Sequence, residues 1–250
     1  FRSERMAAAR RWSPLISAPR ERRSGFIELG ELFRVNRGTV TGANPVWIAG
    51  ERASALPASA LFPAVTKARE IIAAGLELKS LDGLRSVIDL PLSLDSLAAE
   101  ERREVEKFLR WAKAQGAATT YTATHRAAWW AVGLRAPAPI LSTYMGRRAP
   151  AFTLNRAKAH FLNIAHGLTP REAMSEVTLA SYVRYLNNGV EVGDGRTYAG
   201  GLTKFEPKEL ERVLVPAEDV IHELAASMDL RGTPVGRGRS EGRVSSRAAC

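Results

Sequence analysis

Residues 34–49 read R-V-N-R-G-T-V-T-G-A-N-P-V-W-I-A. Two glycines, two asparagines and two threonines interrupt what would otherwise be one continuous strand. Pro45 cannot donate to a sheet ladder, so a strand is expected to restart at Val46-Trp47-Ile48-Ala49. Upstream, G-F-I-E-L-G-E-L-F-R-V (25–35) alternates loosely, as a strand or short turn entering this stretch. Downstream, Leu61-Phe62-Pro63 precedes a helix running through Ile71-Ile72, and R-S-V-I-D-L-P (85–91) is a short strand closed by proline.

Ser96 with L-A-A-E-E-R-R-E-V-E-K-F-L-R-W-A-K-A-Q-G behind it predicts a helix. Ser96 is the N-cap, acids crowd the early turns, bases the late ones, and Gly116 ends it. Val105, Phe108, Leu109 and Ala112 form its 3.6-residue apolar stripe, which is core packing. Beyond Gly116, T-T-Y-T-A-T, W-W-A-V, P-I-L-S-T-Y-M, A-F-T-L-N and F-L-N-I-A read as short strands of a mixed or antiparallel sheet. Thr169-Pro170 opens a further helix, a short helix starts at Pro207, V-L-V-P is a strand, and a last helix spans Pro216 to about Met228. The fold class expected is α+β, a mixed or antiparallel sheet with flanking helices. The domain reading is a basic linker or frayed start at 1–24, a single domain at 25–230 and a disordered Arg/Gly/Ser tail at 231–250.

The chain has 250 residues, enough for a substantial core, with 45% hydrophobic and 25% charged residues, as in ordinary globular proteins. No apolar run is long enough for a membrane span. The N-terminus has no signal-peptide core, and the one cysteine is Cys250, so a cytoplasmic setting without internal disulfides or a Cys-based zinc site is expected. The chain starts at Phe1, which suggests that a segment precedes it.

The formal charge of +10 is unevenly placed. Segments 70–106 and 205–230 are each −5, whereas 107–204 is +9. Between Glu106 and Glu172 there are 65 residues without a carboxylate, where the average frequency predicts about seven. Near phosphates every exposed carboxylate costs affinity and every Lys or Arg displaces counterions, so this block points to a polyanion, nucleic acid in particular. A basic surface without a partner is the alternative.

Several enzyme classes are excluded. There is no G-x-x-x-x-G-K-[ST], no H-E-x-x-H and no G-x-S-x-G, and Gly236-Arg237-Gly238 does not follow a strand. His125, His160, His166 and His222 are dispersed, so no metal site is expected. No catalytic residues are expected either.

The order of motifs resembles the C-terminal target-recognition region of N6-adenine DNA methyltransferases of restriction–modification systems. The resemblance is carried by L-G-E-L-F-R-V-N-R-G-T-V-T-G-A-N-P-V-W-I, L-F-P-A-V-T-K-A-R-E-I, V-I-D-L-P and T-Y-T-A-T-H-R-A-A-W-W. It continues through P-I-L-S-T-Y-M-G-R-R-A-P-A-F-T-L-N, N-I-A-H-G-L-T-P-R-E and G-R-T-Y-A-G-G-L-T-K-F-E-P-K-E-L-E-R-V-L-V-P, covering about residues 26–216. It implies double-stranded DNA as partner and a catalytic methyltransferase domain, upstream in the same chain or separate. It also implies S-adenosylmethionine as cofactor of the complete enzyme, which has to extrude its target base. This chain has no Pro-Pro pair, hence no N-P-P-Y type motif, and no glycine-rich cofactor loop after a strand. It is therefore expected to bind no cofactor and not to transfer methyl groups alone.

The expected DNA contacts follow from residue type. Arg37 supplies charge, while Thr39, Thr41 and Asn44 bond phosphates or base edges from a glycine-opened loop, or else satisfy their own turn. His125 and Arg126 precede Trp129 and Trp130; Trp129 stacks on a base or packs in the core. Arg147 and Arg148 reach from a loop between strands, Asn155 is the residue type that reads adenine, and Tyr144 stacks or packs. Arg196 and Lys204 flank small residues suited to phosphate. The acidic regions 97–106 and 206–223 are expected to face away from DNA. A protein-interaction module, an inactive remnant and an enzyme with an unrecognised site are the other readings.

Overall fold

The computed structural model describes residues 24–198 and 200–229; the basic start before residue 24 and the tail after 229 lie outside them. The centre is an antiparallel sheet in the order β2 (Phe33–Arg37), β9 (Ala165–Pro170), β5 (Ile140–Thr143), β7 (Phe152–Leu154). Strand alternation sends Val35, Leu168, Ile140 and Leu154 to one face, where α6 (Glu176–Gly189) buries Tyr182 and Leu186 against them and α8 (Glu218–Asp229) adds Ile221. The Tyr182 hydroxyl donates to Pro216 O at 3.0 Å. Leu141 and Ala165 face the other way, against Ile71 of α3 (Ala68–Ala74), Val65 and Phe161. Gly167 is required on that face, because a Cβ there would lie 2.4 Å from the Phe161 ring. The fold is α+β.

A second sheet, in the order β4 (Arg85–Ile88), β3 (Leu61–Val65), β8 (His160–Phe161), is antiparallel at its first pair and parallel at its second. It packs with the amphipathic α4 (Ala99–Ala114) around Trp47. The predicted stripe is the buried one: Val105, Phe108, Leu109 and Ala112 all face this core. Gly116 ends α4 in a left-handed conformation at φ 77°. A two-stranded ribbon joins β1 (Phe26–Glu28) to β12 (Leu214–Pro216), and α1 (Leu29–Leu32) connects β1 to β2. The last sheet is small, β10 (Arg196–Thr197), β11 (Thr203–Lys204), β6 (Met145–Gly146).

Several expectations are corrected. Val46-Trp47 does not start a strand: Asn44–Trp47 is one helical turn, α2, with Pro45 in its first positions, where a missing N–H costs nothing. Val46 and Trp47 are both buried in one core, which strand alternation would forbid. T-T-Y-T-A-T is not β-like, because the Thr120 hydroxyl accepts from Ala123 N at 3.3 Å and caps the helical turn α5 (Tyr121–Thr124); W-W-A-V is likewise not a strand. Leu61-Phe62-Pro63 lies in strand β3 and precedes the helix α3 through Ile71-Ile72, as expected. Thr169-Pro170 ends β9, and α6 begins at Glu176 with Ser175 as its cap, accepting from Thr178 N at 3.0 Å. Ser96 sits in a 3-10 turn before α4 instead of capping it.

Candidate nucleic-acid interface

The expected DNA contacts fall into two neighbouring groups joined by residues 37–44. The first stands on the small sheet and the end of β2. β6 pairs with β11 in the register Met145↔Lys204, Gly146↔Thr203, and β10 pairs with β11 as Arg196↔Lys204. Arg196, Lys204 and the Gly146-Arg147-Arg148 turn are thus carried by one surface. The acidic turn α7 (Pro207–Leu210) with Glu206 before it does not face away. Arg37 Nη2 and Lys204 Nζ each lie 2.6 Å from a different oxygen of Glu206, and Arg196 Nη2 lies 3.2 Å from the buried Glu209. With two cations on it, the Glu206 carboxyl is held below its ordinary pKa, chiefly by Lys204, and Lys204 is held above its own chiefly by Glu206. Short-range pairing outweighs the segment-wide charge difference that suggested separation. Arg147 and Arg148 are exposed and, among the described residues, have no ion-pair partner. They border a small cleft with Ile72, Met145 and Phe205.

Under this surface Tyr144 packs on His166 with ring centroids 5.0 Å apart, and Lys204 Nζ lies 5.9 Å from the Tyr144 ring. Tyr144 is thus already engaged within the protein by an imidazole and an ammonium group. His166 is fully buried; its Nε2–H donates to Phe205 O at 2.8 Å, since that carbonyl only accepts. Burial is the largest influence on the imidazole and pulls its pKa below 6.5. A depressed folded pKa contributes stability that is complete above the unfolded value and lost as pH falls through it. Denaturation across a pH series is expected to show stability declining from about pH 6.5 downward, and His166→Gln is expected to remove the part of that slope lying above the carboxylate range.

The second group is the loop 38–44 packed on the segment 120–126. Thr39 and Thr41 are buried. Thr39 Oγ1 accepts from Arg135 N at 3.2 Å, and Thr41 Oγ1 bonds Asn44 Oδ1. Gly42, at φ 82°, leaves 3.0 Å between a notional Cβ and both Thr120 Oγ1 and Thr122 Cβ, so only glycine makes this approach. Arg126 Nη2 donates to Val40 O at 2.8 Å. Burial draws the Arg126 pKa below the ordinary arginine value, with the Asp89 carboxylate partly opposing. Asp89 is itself occupied, accepting from Gly133 N and Leu134 N at 2.9 and 2.8 Å. Exposed Asn44, Tyr121 and His125 complete this surface.

The structure draws Thr39, Thr41, Asn155 and Trp129 into the protein. Asn155 is 5% exposed; its Nδ2 donates to Ala138 O and Ala159 O, and its Oδ1 accepts from Ala159 N, each at 2.9 Å. Nothing remains to read a base. Asn155→Ala would strand those buried groups and is expected to lower unfolding free energy by about 2–3 kcal/mol in urea denaturation. Thr41 is closed in by the loop, and the Trp129 ring is occupied by Trp47 and Trp130, at 6.1 and 5.9 Å. Tyr121, Glu206 and Glu209 were missed. Tyr121 was hidden in a block read as β, although Gly116 followed by paired threonines is a stop-and-cap signal.

Among the described residues no group of His, Cys, Asp and Glu is arranged to hold a metal ion, and no helix is long and apolar enough to cross a membrane.

A sequence model of the C-terminal domain of the type II methyltransferase M.Eco57I matches residues 17–232. The type II methyltransferase M.XamI of Xanthomonas campestris pv. amaranthicola is 56% identical over 219 residues, covering 88% of this chain and 42% of that protein. The chain thus spans less than half the length of that relative. Among solved structures, the type IIG restriction endonuclease BpuSI matches with a TM-score of 0.52 at 15% identity, over 82% of this chain and 26% of that one, a likeness of fold.

Proposed function

The chain belongs to the family of the C-terminal domain of the type II methyltransferase M.Eco57I, and from that premise we propose that it is the DNA target-recognition part of a site-specific adenine-N6 DNA methyltransferase. The observation that carries this reading is the shared placement of Arg37, Arg147, Arg148, Arg196 and Lys204 around one small sheet, within a chain whose central 65 residues lack any carboxylate. Arg147 and Arg148 meet phosphate or guanine directly, as their planar forks suit. Arg37, Lys204 and Arg196 are oriented by Glu206 and Glu209 and exchange part of that pairing for phosphate. Asn44, His125 and Arg126 reach the same duplex from the adjoining loop.

The catalytic domain is upstream in the same polypeptide or separate, and S-adenosylmethionine is its cofactor. This reading assigns no cofactor to the chain itself, in keeping with the close approach of the Leu162 carbonyl to Gly38, the glycine that follows β2, 2.1 Å from where a Cβ would stand.

Selection from a random duplex pool tests the reading. Retained DNA is expected to be enriched in one short motif. Retention without enrichment would contradict target recognition and leave a non-specific DNA binder.

A further inference from the structure

The Tyr121 ring is 80% exposed, more than any other large apolar or aromatic side chain among the described residues. It lies against the imidazole of His125, with centroids 4.2 Å apart and planes at 36°. The imidazole is fixed in turn by Nδ1, 2.7 Å from Tyr121 O, and by the Thr124 hydroxyl at 3.2 Å. Beneath, the turn is capped by Thr120 and wedged by Gly42. Arg126, next in sequence to His125, donates to the carbonyl of Val40, itself 42% exposed. The Asp89 carboxylate, which acts on Arg126, also accepts from Gly133 N and Leu134 N. The result is a fixed aromatic face on the same loop as the proposed contact Arg126.

We propose that the Tyr121–His125 pair is a stacking site for an unstacked base of bound DNA. The inference rests on the DNA-reading function above. Every base has a π-face, so a ring held in this way takes an extruded base, or fills the gap one leaves, without selecting its identity. His125 sets the ring's angle, and Arg126 lies close enough to accompany the displaced backbone. Trp129 and Tyr144, the aromatics that the sequence suggested for this work, are partly buried and already packed on other side chains of the protein.

The test scans the 250-residue chain across duplexes of one length, each with a single mismatch at a successive position, beside the intact duplex. A mismatched base leaves the helix at lower cost, so at least one position is expected to bind tighter than the intact duplex, on the order of tenfold. Tyr121→Ala is expected to erase that gain while leaving the thermal midpoint unchanged, and Tyr121→Phe to keep it. Equal binding across the scan, a gain that persists in Tyr121→Ala, or equal loss by Tyr121→Ala on intact and mismatched duplexes would each overturn the stacking site, while DNA recognition stands. Absence of binding to every duplex would overturn both.

Discussion

Trp47→Ala is expected to lower the unfolding free energy by about 3–5 kcal/mol, a large share of the 5–15 kcal/mol typical of a domain. The side chain has no exposed surface and meets Phe108 and Trp129 at ring distances of 6.1 Å each. Its indole N–H has no partner among the described residues, so no hydrogen bond to them is lost on truncation. The whole cost is transfer and cavity, set by how far α4 and the β3–β4 sheet can collapse into the space. Urea denaturation should show a lower midpoint at unchanged slope. The functional consequence follows from position, since Trp47 ends the turn that closes the 38–44 loop and also supports Trp129. A loss below about 1 kcal/mol would mean that this core does not hold the loop.

How much was visible beforehand depended on the range of the interaction. The stripe on α4 and the glycine that ends it are local signals, and both appear as expected. β2, β4, β5, β7 and β12 also lie where their apolar runs stand. Val46-Trp47 misled because β-branched and aromatic residues were weighed above proline's fit to a first helical turn, and because burial of both on one face is a tertiary fact. T-T-Y-T-A-T misled for a related reason. Threonine is a strand former and equally a cap, and here Thr120 caps the turn by accepting from Ala123 N while its carbonyl accepts from Thr124 N. In the site, sequence identified the cations but not their pairing. Arg37 and Glu206 are 169 residues apart, and only the β2–β9 ladder with the β11–α7 connection brings them together. Asn155 shows the same limit, since an amide suited to adenine is equally suited to closing a buried turn.

The second large effect concerns salt. Six cations stand on the two grouped surfaces: Arg37, Arg126, Arg147, Arg148, Arg196 and Lys204. If each neutralises one phosphate, the slope of log affinity against log salt is about −5, and affinity falls roughly a thousandfold between about 50 and 200 mM salt. Arg147→Ala/Arg148→Ala should make that slope shallower by about 2 units, because among the described residues these two have no carboxylate partner to fall back on. Their exposure makes the pair unimportant for folding, so the thermal midpoint should stay within about a degree or two of the parent. The paired cations will respond less simply, since releasing Arg37 or Lys204 from Glu206 offsets part of each new contact.

The measurement that bears most directly on the central claim is therefore duplex binding by fluorescence anisotropy at these two salt concentrations, for the chain and for Arg147→Ala/Arg148→Ala side by side. The account predicts tight binding at the lower salt, a loss of about a thousandfold at the higher, and a shallower dependence in the variant. Absence of duplex binding at the lower salt, or binding that neither salt nor the two arginines affect, would contradict it.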